Sequence, residues 1–167
     1  MDYDKVLVCT KYFTARIIVG SQAKKQRQAI YLEALATLQE LKIIEGKYHD
    51  EPYQCYNCGY MHHIPSEKMT DVNIAKEMIV DAFKDNFDTA LLISADADIV
   101  PAVKVIRQEF PLKRIIVALP PKRYSKDLVD SANSSFPIGR SNFAQNQLPD
   151  KVTRPDGFIL ERPEIWK

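Results

Sequence analysis

The chain has 167 residues, 46% hydrophobic and 27% charged, which suits one soluble domain with a packed core. Its 23 basic and 22 acidic side chains leave a net charge of +1, so no global field marks a polyanion binder and any anion must be held by local patches. No apolar run has the length of a membrane span and no signal peptide is visible; three cysteines, two of them in a CxxC, argue against a secreted disulfide framework and place the expected location in the cytoplasm.

Residues 5–18 (KVLVCTKYFTARII) are rich in β-branched and aromatic side chains and read as a strand. Ser21 is placed to cap a helix running to about residue 40, which opens on the basic turn Lys24, Lys25 and Arg27. A short strand follows at 41–48, then an irregular segment at 50–65 that holds Cys55 and Cys58. The clearest helix spans 70–83, where Ala75, Met78, Ile79, Ala82 and Phe83 share one face. Residues 89–94 read as a buried strand, 99–109 as a helix, and 114–119 as a second buried strand stopped by Pro120 and Pro121. Ser125 caps a short helix through Ser131, residues 136–138 form a last short strand, and the tail from Asn146 is extended but apolar enough to pack down. Alternating strands and helices imply a mostly parallel sheet with right-handed crossovers.

Three constellations could carry chemistry. The first is acidic. Asp96 and Asp98 follow a buried strand directly and sit between the small residues Ala95 and Ala97, while Asp71 opens the 70–83 helix behind its expected cap Thr70. Ligands of open α/β sheets bind beyond the carboxyl ends of the strands. Carboxylates gathered there suit Mg²⁺ or Mn²⁺ and phosphodiester hydrolysis by activated water. The plainer alternative is that Asp71 and Asp98 are helix-start residues favoured by capping and the macrodipole. The second constellation is the knuckle Cys55-Tyr56-Asn57-Cys58-Gly59, half of a Zn²⁺ site whose other half could come from His62, His63 or Cys9. Its alternative is a loop with two free thiols. The third is basic: Lys122, Arg123 and Lys126 follow the 114–119 strand, with Arg140 further on and Tyr124 and Phe143 interleaved. Such residues suit an RNA backbone and its bases, or form an ordinary solvated face.

In combination, KYFTARI (11–17), EKMTDVNIA (67–75), DAFKDNFDTALLISADAD (81–98) and RIIVALPPKRYSKDL (114–128) resemble the NYN domain, a PIN-like ribonuclease family. The resemblance covers residues 6–148, more weakly to 159. It implies a three-layer α/β/α sandwich, here N-terminally incomplete, and a Mg²⁺- or Mn²⁺-dependent enzyme cleaving RNA; the domain would span 1–148 with a CxxC insert at about 50–65, followed by an extended tail at 149–167 whose own apolar residues suggest that it packs down. By that match Asp71, Asp96 and Asp98 are metal-site acids, and Asn73 and Ser94 are supporting polar groups.

Two departures accompany the resemblance. The family's acidic turn usually reads SGDSD, whereas here it is Ser94-Ala95-Asp96-Ala97-Asp98. Family members also begin with a strand ending in a DGxN-type motif, and Asp2 and Asp4 fit neither its spacing nor its context. A gap in the sheet with exposed edges is therefore expected. The expectation is that the true start lies upstream; a second copy or partner chain supplying the strand, or a degenerate copy, are the alternatives. The functional expectation is a metal-dependent ribonuclease. Its alternatives are a non-catalytic RNA- or protein-binding module with a zinc knuckle and a phosphohydrolase using Asp96 as nucleophile.

Overall fold

The β-rich start of the chain forms a shorter strand than its composition predicts. In a computed structural model describing residues 6–166, β1 is Thr10–Thr14, and residues 6–9 and 15–18 have no regular structure. Asp2, Asp4 and Lys5 lie outside the described residues. Helix α1, Gln22–Leu35, starts at the expected cap, with Ser21 Oγ accepting the Lys24 N–H. It stops short of residue 40 because the chain turns there: the Thr37 hydroxyl donates to the Ala34 carbonyl, and the Leu38 N–H to that of Leu35. Strand β2, Leu41–Glu45, then pairs parallel to β1 with Tyr12 opposite Ile43.

Gly46 breaks the single strand expected over 41–48. A Cβ there would lie 2.7 Å from both the Lys68 carbonyl oxygen and the Thr70 hydroxyl, so only glycine fits this approach. Beyond it, β3 (Lys47–Gln54) and β4 (Met61–Lys68) pair antiparallel along eight positions. The segment 50–65, expected to be irregular, is therefore mostly ribbon. Pro52 and Pro65 each sit in a two-stranded ribbon, where every strand is an edge and a missing N–H is tolerated.

Helix α2, Thr70–Phe83, has the bounds its periodicity predicts. Strands β5 (Thr89–Ile93), β6 (Arg114–Leu119) and β7 (Ser134–Pro137) form one parallel sheet in that order. A single 3-10 turn, Ala97–Ile99, leads into α3 (Val100–Glu109), and α4 (Lys126–Ser131) joins β6 to β7. Right-handed crossovers put α3 and α4 on one sheet face. That face is the core: Leu92, Ile115, Val117 and Leu119 cluster with Ile99, Val103, Ile106 and Leu128, and Ile74, Met78 and Ile79 of α2 pack against them. Each such aliphatic side chain contributes about 1.5–3 kcal/mol on burial. On the opposite face Leu91 and Ile93 of β5 are 56% and 57% exposed, while Ala118 of β6 is buried. Among the described residues β5 pairs only with β6. A further short helix, α5 (Arg140–Gln145), was not expected.

The tail, expected to be extended, contains a hairpin of β8 (Lys151–Thr153) and β9 (Ile159–Glu161). It packs on α1 through an Arg154–Glu33 ion pair and the edge of Trp166 against Tyr31. The chain thus comprises two units, Met1–Thr70 with Leu148–Lys167, and Asp71–Gln147. Its class is α/β with parallel pairing in both sheets that hold crossover helices, as expected. No described helix is long and apolar enough to cross a membrane.

Candidate active site at the carboxyl edge of the parallel sheet

Because β5, β6 and β7 are parallel, their carboxyl ends lie along one edge of the 71–147 unit. Ser94, Asp96 and Asp98 leave β5 there, Lys122, Arg123 and Lys126 leave β6, and Arg140 follows β7. Helix α2 carries Asp71 in its first turn. Its C-terminal end is tied to the amino edge of the sheet, where buried Lys113 binds the Asp85 carboxylate and the Phe87 carbonyl just before β6 begins. Asp71 lies at the other end of the helix, roughly 20 Å away at 1.5 Å per residue.

The acidic turn is built by its own side chains. Ser94 Oγ accepts the Asp96 N–H at 3.1 Å, and Asp96 Oδ1 accepts the Asp98 N–H at 2.9 Å. Asp98 and Asp71 lie in the first turns of their helices, but the residue that caps the 3-10 turn is Asp96, for which capping was not expected. Capping does not exhaust the Asp96 carboxylate, which has two oxygens and about four lone pairs. Asp96, Asp98 and Asp71 are exposed, whereas Ser94 and Asn73 are half-buried. Thr70 is not the cap expected of it: it is the first helical residue, preceded by Met69 at φ 75°, and its hydroxyl donates to Glu67. Strand order puts Asp96 and Asp98 at this edge, but among the described residues no three His, Cys, Asp or Glu side chains are close enough together to hold a metal ion.

The basic turn is strained. The Arg123 N–H bonds the Pro120 carbonyl across Pro121 and Lys122, and Lys122 adopts φ 63°, a left-handed conformation that favours glycine. A non-glycine residue held this way costs on the order of 1–3 kcal/mol. Lys122, Arg123, Lys126 and Arg140 are all exposed, with Tyr124 and Phe143 exposed among them. A shallow depression of about 530 Å³ beside the acidic turn is lined by Ala97, Pro101, Lys104, Asp127 and Asp130. The sequence reading passed over Asp127 and Asp130, whose i, i+3 spacing on α4 was the available signal.

The knuckle lies at the tip of the β3–β4 ribbon. Cys55 and Cys58 are free thiols. Backbone N–H groups of Cys58 and Asn57, and then the Cys58 side chain, hold the Cys55 thiol below its ordinary pKa. The Gly59 N–H donates to the Cys55 carbonyl and the Cys55 N–H to the Tyr60 carbonyl, with Gly59 at φ 71°. The side chain of His63 lies outside what is described.

Comparison with known proteins places this geometry. The chain is 28% identical over 181 aligned residues to the 6-hydroxy-3-succinoylpyridine 3-monooxygenase HspA of Pseudomonas putida, an alignment that takes in 93% of this chain and 56% of that protein. It thus spans little more than half the length of that curated relative. A crystal structure of a protein of unknown function from Vibrio parahaemolyticus shares the fold, with a TM-score of 0.51 and 24% identity over 80% of this chain and 70% of the other. The family model for the NYN domain matches residues 2–139, and the chain belongs to the NYN domain family.

Proposed function

We propose that the carboxyl edge of the 71–147 unit is the site of a metal-dependent ribonuclease. The observation that carries this reading is the common edge: parallel pairing puts the segment after β5, with Asp96 and Asp98, at the same edge as the segments after β6 and β7, with Lys122, Arg123, Lys126 and Arg140. Membership of a PIN-like nuclease family supports it.

The donor set suits Mg²⁺ or Mn²⁺. Carboxylates are hard oxygen ligands, and Mg²⁺ commonly takes one or two of them and completes its shell with water and phosphate, so a pair such as Asp96 and Asp98 is a sufficient protein contribution. Bound there, such an ion would supply Lewis-acid polarisation of the phosphate and a more acidic water. Asp96 is the proposed principal ligand because Ser94 and the Asp98 N–H fix its turn. Asp98 and Asp71 would hold or orient waters, with Asn73 and Ser94 in support. Lys122, Arg123, Lys126 and Arg140 would neutralise the RNA backbone, and Tyr124 and Phe143 offer rings for unpaired bases.

The second reading is an RNA-binding surface without turnover. It is favoured by the capping use of Asp96 and by the lack of a three-residue ligand group among the described residues. Labelled structured RNA with Mn²⁺ separates the two: cleavage supports the first, and salt-sensitive binding without cleavage supports the second. If the chain instead shares the chemistry for which its Pseudomonas relative is named, RNA will stay intact and 6-hydroxy-3-succinoylpyridine will be consumed.

A further inference from the structure

The β3–β4 ribbon presents two cysteines in the arrangement of a zinc knuckle, but only two. The Gly59 N–H donates to the Cys55 carbonyl and the Cys55 N–H to the Tyr60 carbonyl, each at 2.8 Å, with Gly59 in the left-handed region, so the chain turns tightly between the two cysteines and β4. A structural zinc site needs four donors. Among the described residues no third His, Cys, Asp or Glu joins the pair. His62, the nearest histidine on β4, turns its ring edge-on to Tyr60 with centroids 5.0 Å apart.

Seven of the eight β3 residues are exposed, and only Tyr48 is half-buried. A two-stranded ribbon wet on both faces is marginal by itself. Its tip nevertheless displays large apolar side chains: Tyr56 is 94% exposed and Tyr60 66%, with Tyr53 and Met61 exposed beside them. Tyr53 and Tyr56 already stack edge to face at 6.2 Å. Tyrosine and methionine are enriched in interface centres, where an apolar body is buried and a polar end finds a bond.

We propose that this tip is half of a tetrahedral Cys₄ zinc site, completed by Cys55 and Cys58 of a second copy of the chain. One Zn²⁺ would join two ribbons, with the tyrosines packed around the metal as the rim of the contact. The second copy is the occupant because it supplies what is missing, two further thiolates in the same preformed geometry, under a two-fold axis through the metal. This inference does not depend on the ribonuclease reading.

The test takes the full chain, reduced and metal-free, and adds Zn²⁺ alone while mass is followed by sedimentation and bound metal by elemental analysis. The proposal expects one zinc for every two chains, a doubling of mass on zinc addition, and its reversal by a chelator. Cys58→Ser should bind no zinc and stay monomeric, with an unchanged far-ultraviolet dichroism spectrum showing that it folds. Tyr56→Ala keeps every ligand, so it should retain the one-to-two stoichiometry while weakening dimerisation several-fold. One zinc per monomeric chain, no zinc uptake by the reduced chain, or a dimer indifferent to chelator would each overturn the proposal. Substitution by Co²⁺ gives an independent readout, because the absorption of a four-thiolate site differs from that of a site with histidine ligands.

Discussion

The 71–147 unit and the β3–β4 ribbon gain their order in opposite ways. In the first, three helices close one face of a parallel sheet, and Ile99, Val103, Ile106, Ile115, Val117 and Leu128 are fully buried. In the second, cross-strand pairing and the turn at Cys55 and Cys58 carry the structure with almost nothing buried. A packed core holds a site in place by itself, whereas an open ribbon depends on what binds it. The contrast explains why a catalytic edge is read in one region and an assembly device in the other.

The largest effect should come from the core. Ile106→Ala is expected to cost about 2–5 kcal/mol in chemical denaturation, the range for emptying a packed aliphatic site. Tyr53→Ala in the ribbon of the metal-free chain should cost under about 1 kcal/mol, since it removes mainly exposed surface. Similar costs for the two would erase the distinction.

Next is the anchor that holds α2 against the sheet. Lys113→Met removes the donor to the Phe87 carbonyl and is expected to cost about 1–3 kcal/mol. The same contact predicts a pH dependence. Lys113, first by hydrogen bond and then by charge, holds the Asp85 carboxyl below its ordinary range. Its stabilisation is therefore fully present above the unfolded pKa of about 4 and is lost as pH falls through the lower folded value. Melting followed from pH 6 to pH 2 should show this loss in the natural chain. Asp85→Asn should lack that component, and identical acid profiles would remove Lys113 as the anchor.

The smallest effect sharpens the account of the basic turn. Lys122→Gly should relax the left-handed strain and raise stability by up to about 1 kcal/mol. If Lys122 contacts the RNA backbone, the same change should weaken RNA binding for all sequences alike and lower the salt slope by about one. Gained stability with unchanged RNA affinity would leave the turn strained for some other reason.

The contrast between regions also governs what could be read from the sequence. Helix α2 and strand β6 were legible to within a residue, because an apolar face at helical spacing and an apolar run ended by two prolines each have one good structural solution. The carboxyl-edge grouping followed from strand order. The ribbon was not legible, since KYHDEPYQ and MHHIPSEK bury too little to show an alternating face, and their prolines point away from strand. Helix α5 was hidden because Gly139 gives no side-chain cap and RSNFAQ has no apolar stripe. The cap formed by Asp96 was not legible, since helix-start roles were weighed for Asp71 and Asp98; which N–H Asp96 accepts depends on the turn that Ser94 closes beneath it.

The most direct test of the central claim is cleavage of a labelled structured RNA with Mn²⁺ by this chain and by Asp96→Asn. Asparagine is as good an N-cap as aspartate, so the substitution keeps the turn and removes the charge that would hold the metal. The account predicts metal-dependent cleavage by the natural chain, its loss in the variant, and matching melting curves. Equal cleavage by both, or none by the natural chain, would contradict it.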